Sequence, residues 1–119
     1  MNAVTQSAAS FADAIYVPTD NTVATYATAI DEICRPAKVP VIAGEAGICA
    51  SCGIATLSID YYDLGYKTGE MAVDILKNGA DISTMAIAYT PEEKLQKLYN
   101  EQICKDLGLE PLEGYGKLS

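Results

Sequence analysis

Apolar positions along this chain recur at two different spacings, and the switches between them divide it into elements. Val4, Ala8 and Phe11 repeat at helical spacing over residues 3–11, and the run Ala14, Ile15, Tyr16, Val17, stopped by Pro18, predicts a short buried strand. Thr19, Asp20 and Asn21 then offer turn and helix-capping side chains. Val23, Tyr26, Ala27, Ile30, Ile33 and Cys34 line one face of an amphipathic helix that Pro36 ends. A second strand is expected over residues 39–43. From Gly44 to Gly53, glycine and small residues break both periods, which predicts a loop at that strand's end. Residues 54–59 form a third strand-like run. Asp60 then caps a helix with Leu64, Thr68, Met71, Ala72, Ile75 and Leu76 on its inner face, stopped by Asn78 and Gly79. Residues 84–89 and 94–99 are weaker strand candidates. A short helix over 100–107 is bounded by Asn100 and Gly108, and the tail after Pro111 is expected at the surface.

Strand and helix therefore alternate through short connections, the pattern of an α/β fold with a mainly parallel sheet flanked by helices. Ligands of such sheets sit beyond the carboxyl ends of the strands. That rule selects Thr19, Asp20 and Asn21 after the first strand, Glu45 after the second and Asp60 after the third. Each has a plainer role beside the functional one. Asp20, Asn21 and Asp60 can cap helices, and Glu45 can be a solvated loop charge. Tyr61 and Tyr62 can stack on a ligand or serve as helix wall.

Charge and composition narrow the chemistry. Sixteen acidic against eight basic residues give a net charge of −8, with the basic residues scattered, so a nucleic-acid partner is not expected. The chain has no histidine, which removes His-based acid/base and triad catalysis and imidazole metal ligands. Ser51 and Ser58 have no G-x-S-x-G elbow around them, and Gly44-Glu45-Ala46-Gly47 lacks the Lys-Ser/Thr of a P-loop. No catalytic residue, metal site or cofactor is therefore expected. Cys49 and Cys52 make one C-x-x-C, while Cys34 and Cys104 stand alone. The pair reads either as small apolar filling or as a thiol redox motif, and a four-cysteine zinc site would want a second C-x-x-C. The start of the chain has neither the basic nor the apolar region of a secretory signal.

Three ordered stretches carry a resemblance. They are the run from Asp13 to Val23, the run Val39-Pro40-Val41-Ile42-Ala43-Gly44-Glu45 with Gly47, and the run from Ala55 to Gly65. With Gly69-Glu70-Met71-Ala72 and the closing 100–108 helix, they resemble the substrate-binding proteins of ABC transporters. The resemblance is to the type I periplasmic-binding-protein group that includes tryptophan- and other aromatic-amino-acid-binding lipoproteins. It implies two α/β lobes joined by crossing strands, with the ligand held in the cleft between them. This chain would be about the last third of such a protein, without the first lobe, the export signal and the lipid-anchor cysteine.

On that footing, residues 1–59 are expected to belong to the ligand lobe. Residues 60–90 would form the hinge crossing and a helix that packs on the missing lobe, and residues 91–119 a return segment and tail. Thr19, Asp20, Asn21, Glu45 and Asp60 become ligand-binding positions for a small solute of the amino-acid class. The parent would deliver it to an ABC permease from outside the cytoplasmic membrane. A helix without its partner lobe would leave apolar surface exposed, so the isolated chain is expected to be a homo-oligomer. Two other readings stay open, a small C-x-x-C thiol redox protein and a non-catalytic α/β interaction domain.

Overall fold

The computed structural model describes residues 1–119 and falls into two units, residues 1–58 with 96–119 and residues 59–95. In the first unit the order is α1 (Asn2–Ala9), β1 (Ile15–Val17), α2 (Asn21–Thr25), α3 (Ala27–Cys34), β2 (Val41–Ala43), α4 (Ala46–Cys52) and β3 (Ala55–Ser58). The second unit holds α5 (Tyr61–Asn78) and a single 3-10 turn, Glu92–Lys94. The chain then returns to the first unit as β4 (Gln96–Tyr99), α6 (Glu101–Leu107) and β5 (Gly116–Lys117). No helix is long and apolar enough to cross a membrane.

The sheet runs β1-β2-β3-β4-β5, parallel at every junction except the antiparallel pair β3 and β4. Register explains which side chains are buried. Ile15 pairs with Val41, Val17 with Ala43, and Ala43 with Thr56, and paired residues point to the same face. That face meets α3 and α4, giving a core of Val17, Ala27, Ile30, Cys34, Val41, Ala43, Ile48, Cys49 and Cys52. On the opposite face Tyr16 and Leu57 stay exposed. Thr56 is buried in the sheet, and its hydroxyl has no hydrogen-bond partner.

The expected α/β pattern is present, and four local expectations are corrected. The single helix foreseen between Asn21 and Cys34 is two, because Tyr26 leaves helical geometry at φ −101° and ψ 9°. Residues 44–53, expected to be a loop, contain α4. Ile48, Cys49 and Cys52 form its buried face, a spacing of one and three that fits less than two turns and is hard to separate from noise. Residues 84–89 form no strand, and the tail is not merely surface, since β5 pairs with β4.

Helix ends follow the residues expected to stop them. Asn100 Oδ1 accepts from Ile103 N–H at 3.1 Å to start α6. Gly79 and Gly108 close α5 and α6 in the left-handed conformation, with φ 70° and 71°. Arg35 at the end of α3 donates to Asp31 at 2.6 Å and to Asp106 of α6 at 2.8 Å, tying the two helices together. No residue of α5 is buried, and only Asp63, Met71 and Ile75 are partly covered.

Candidate ligand-binding site at the strand ends

Parallel pairing puts the carboxyl ends of β1 and β2 side by side, and their exits touch. A Cβ placed on Gly44 would stand 2.7 Å from Thr19 N and 2.8 Å from Thr19 Oγ1, so only glycine allows this approach without a shift. Thr19 leads into Asp20 and Asn21, and Gly44 into Glu45, so four of the five predicted site residues are gathered at one edge of the first unit. Asp60 follows β3 but belongs to the second unit, where its carboxylate accepts from Tyr62 N–H at 2.8 Å and caps α5.

The carboxylates at this edge already have local work. Asp20 Oδ1 accepts from Val23 N–H at 2.9 Å and caps α2. Glu45 is a cap of an uncommon type, with Oε2 accepting from Gly47 N–H at 2.8 Å and Oε1 from Ile48 N–H. It therefore holds the second and third amides of α4, which would otherwise be unsatisfied. An ionised carboxylate has about four acceptor positions, so both residues keep capacity for a ligand donor. Asp20 and Asn21 are exposed and Glu45 is half-buried.

Sequence reasoning passed over two residues that shape this edge. Ser58, buried at the end of β3, accepts from Ala46 N–H at 3.2 Å and links the third strand to the first residue of α4. Its register with the core face was the available signal, two residues beyond Thr56 on an alternating strand. Gly44 was read only as part of a glycine-rich stretch, and the closeness of Thr19 that demands it exists only in three dimensions.

The C-x-x-C lies one turn further into α4. Cys49 and Cys52 are 0% and 2% exposed, and burial pushes both thiols up to about 12, with the neighbouring thiols and Glu45 or Asp31 acting in the same direction. Reactive pairs need an accessible thiolate stabilised at a helix N-terminus. Here Cys52 is the last residue of its helix, at the end that disfavours an anion. All four cysteines are free and buried, so the arrangement is that of core-filling side chains.

The chain matches the model of the family described as ABC transporter substrate binding protein over residues 1–113. It therefore belongs to the ABC transporter substrate-binding protein family. A tyrosine-binding protein of Clostridioides difficile (strain R20291) is 33% identical over 100 residues, 84% of this chain and 28% of that protein. Among solved structures, the ligand-free, open form of a substrate-binding protein with adhesive properties from Clostridium difficile matches with a TM-score of 0.71 at 39% identity. That match covers 98% of this chain and 39% of that one. A Streptococcus pneumonia ABC domain in complex with L-Trp matches with a TM-score of 0.81 at 27% identity, over 98% of this chain and 40% of that one. The chain thus spans well under half the length of these relatives.

Proposed function

We propose that this chain is the C-terminal portion of a solute-binding protein that captures an aromatic amino acid in a cleft and presents it to an ABC permease outside the cytoplasmic membrane. The observation that carries this reading is the match of almost the whole chain to part of a protein solved with L-Trp, alongside a tyrosine-binding relative. Thr19, Asp20, Asn21 and Glu45 supply one wall of the cleft, and Asp60 contributes where the chain crosses towards the other lobe. Hydroxyl, amide and carboxylate groups suit the ammonium and carboxylate of a zwitterion. Residues 60–90 serve as crossing and lobe-packing segment, residues 1–59 as ligand lobe, and 91–119 as return. Binding rather than catalysis is the role, in keeping with relatives named for what they bind.

A thermal-shift titration of this chain and of its longer parent against the amino acids tests the reading. Ligand that binds only the folded state raises its stability by mass action, about 2.7 kcal/mol at one hundred times Kd. The parent is expected to shift with tyrosine or tryptophan and this chain to shift weakly. A parent that melts at one temperature whatever amino acid is present would sink the assignment.

For the chain alone, the uncovered segment calls for a second copy. No residue of the 59–95 unit is buried, and Tyr62, Tyr66, Leu76, Ile87 and Tyr89 are 63–83% exposed. Aromatic side chains bury about 150–250 Å² each, so these tyrosines with Tyr61 and the aliphatic residues approach the roughly 800 Å² per partner of a stable interface. Light scattering at tens of micromolar (about the range in which such interfaces associate) is expected to report a dimer. A monodisperse monomer would remove this proposal while leaving the ligand assignment intact.

A further inference from the structure

At its N-terminal end α4 is held by Glu45 and Ser58, and its opposite end is held by a side chain from the far side of the chain. Asn100 Nδ2 donates to Ala50 O at 3.0 Å and to Cys49 O at 3.3 Å. The same residue accepts from Ile103 N–H through Oδ1, and its backbone N–H donates to Ile54 O at 2.9 Å, just before β3. One residue thus closes α4, opens α6 and joins both to the sheet.

The closure is needed because the carbonyls of a helix's last turn have no donor within the helix. Many helices solve this with a left-handed glycine, as α5 and α6 do. Gly53 cannot, being extended at φ −96° and ψ 149° so that β3 can begin at once. Its place is also tight, since a Cβ there would stand 2.9 Å from Ala43 Cβ and 3.0 Å from Cys49 Cα. Gly53 N–H still donates to Cys49 O at 3.1 Å, and Asn100 supplies from another element the donor that Ala50 O would otherwise lack.

We infer that Asn100 is a positioning residue for the ligand site, setting through α4 where Glu45, Ala46 and Gly47 stand. The helix is a rod of under two full turns, about 10 Å long, with Ile48, Cys49 and Cys52 packed in the core. Such a short rod transmits a displacement of its foot to its head more readily than it absorbs it by bending. The inference rests on the proposed ligand reading only for its consequence on affinity, not for the displacement itself.

Two variants separate this role from the capping of α6. Asn100→Asp and Asn100→Ser both retain a good N-cap, but aspartate brings no donor to Ala50 O and serine is too short to reach it. Should the aspartate variant not fold, the serine variant carries the test. In amide correlation spectra of the ligand-free chain, both are expected to move the Gly47 and Ile48 signals while Ile103 keeps its capped position. Exchange protection at Ile48 should fall about fivefold, the loss of roughly one neutral hydrogen bond. In the longer parent, tyrosine affinity should fall by a similar factor at a temperature where variant and wild type are fully folded. Shifts confined to α6 and residues 49–50 would overturn the inference. A wild-type parent that binds neither tyrosine nor tryptophan would instead remove the ligand assignment, and the amide result would still decide the role of Asn100.

Discussion

Between pH 9 and 12 the folded chain is expected to lose stability steeply, and a Cys49→Ala, Cys52→Ala double variant to lose much less over the same range. The two thiols stand at an ordinary 9.0 when solvated and are pushed up to about 12 in the fold, above all by burial. A folded value above the unfolded one means that the folded chain binds more protons inside that window, so stability falls as pH rises through it. The contribution is fully present below pH 9 and gone by about 12. Each pH unit of separation corresponds to about 1.4 kcal/mol, so the pair contributes on the order of a few kcal/mol, against a total of about 5–15 kcal/mol for a typical domain. Burial raises Cys34 and Cys104 in the same direction. Denaturant melts of both proteins at about pH 8 and about pH 11 check this. Parallel losses in the two would show that other groups set the alkaline limit. The same burial is expected to make labelling of native Cys49 and Cys52 at about pH 8 far slower than in the denatured chain, since both access and thiolate population are reduced.

Gly44→Val should be the most damaging single change near the candidate site. The first added carbon meets a backbone nitrogen at 2.7 Å, which no rotamer of Thr19 can relieve, and the two further methyl groups add to the crowding. Overpacking of this kind costs about 1–3 kcal/mol. The melting temperature of a domain this size should drop by roughly 4–8 °C for each kcal/mol. On the proposed reading, ligand affinity of the longer protein should fall as well, because the forced movement is that of Thr19 itself. Gly65→Ala is the matching control. Nothing lies within 4 Å of a Cβ at that helical position, so alanine should leave stability unchanged or raise it by up to about 1 kcal/mol. Calorimetry of the two variants side by side separates crowding from the general effect of replacing glycine. Equal melting temperatures for Gly44→Val and wild type would mean that the exits of β1 and β2 are not in contact.

Local chemistry made most of the frame legible. Pro18 and Pro36 end elements because of what proline does to its own and the preceding backbone. Asp60 and Asn100 start helices because their side chains reach a free amide two or three residues on. The helix at 46–52 was hidden because its cap is a glutamate and its inner face is largely cysteine, neither of which marks a helix in the usual way. Residues 84–89 carried apolar residues at strand spacing, yet a strand needs a neighbour, and that requirement is not written in the segment. At the site, the positions after each strand followed from the sheet rule, whereas Gly44 against Thr19 and Asn100 beneath α4 join residues distant in sequence. Capping and ligand contact also draw on the same residue types, so sequence alone could not separate them at Asp20 or Asp60.

Ser58 and Gln96 face one another across β3 and β4, although the chain between them is the longest departure from the sheet. The entropy of closing a loop rises with the logarithm of its length, so this junction is the most expensive in the sheet to form. The β1, β2 and β3 ladder, built over shorter connections, should zip before the antiparallel edge arrives. Whatever grips residues 59–95 shortens the effective loop and brings Gln96 back to Ser58 sooner. On the proposed reading, capture of that segment by a missing lobe would then act on folding order as well as on final stability, with the last strand waiting on an event outside the sheet.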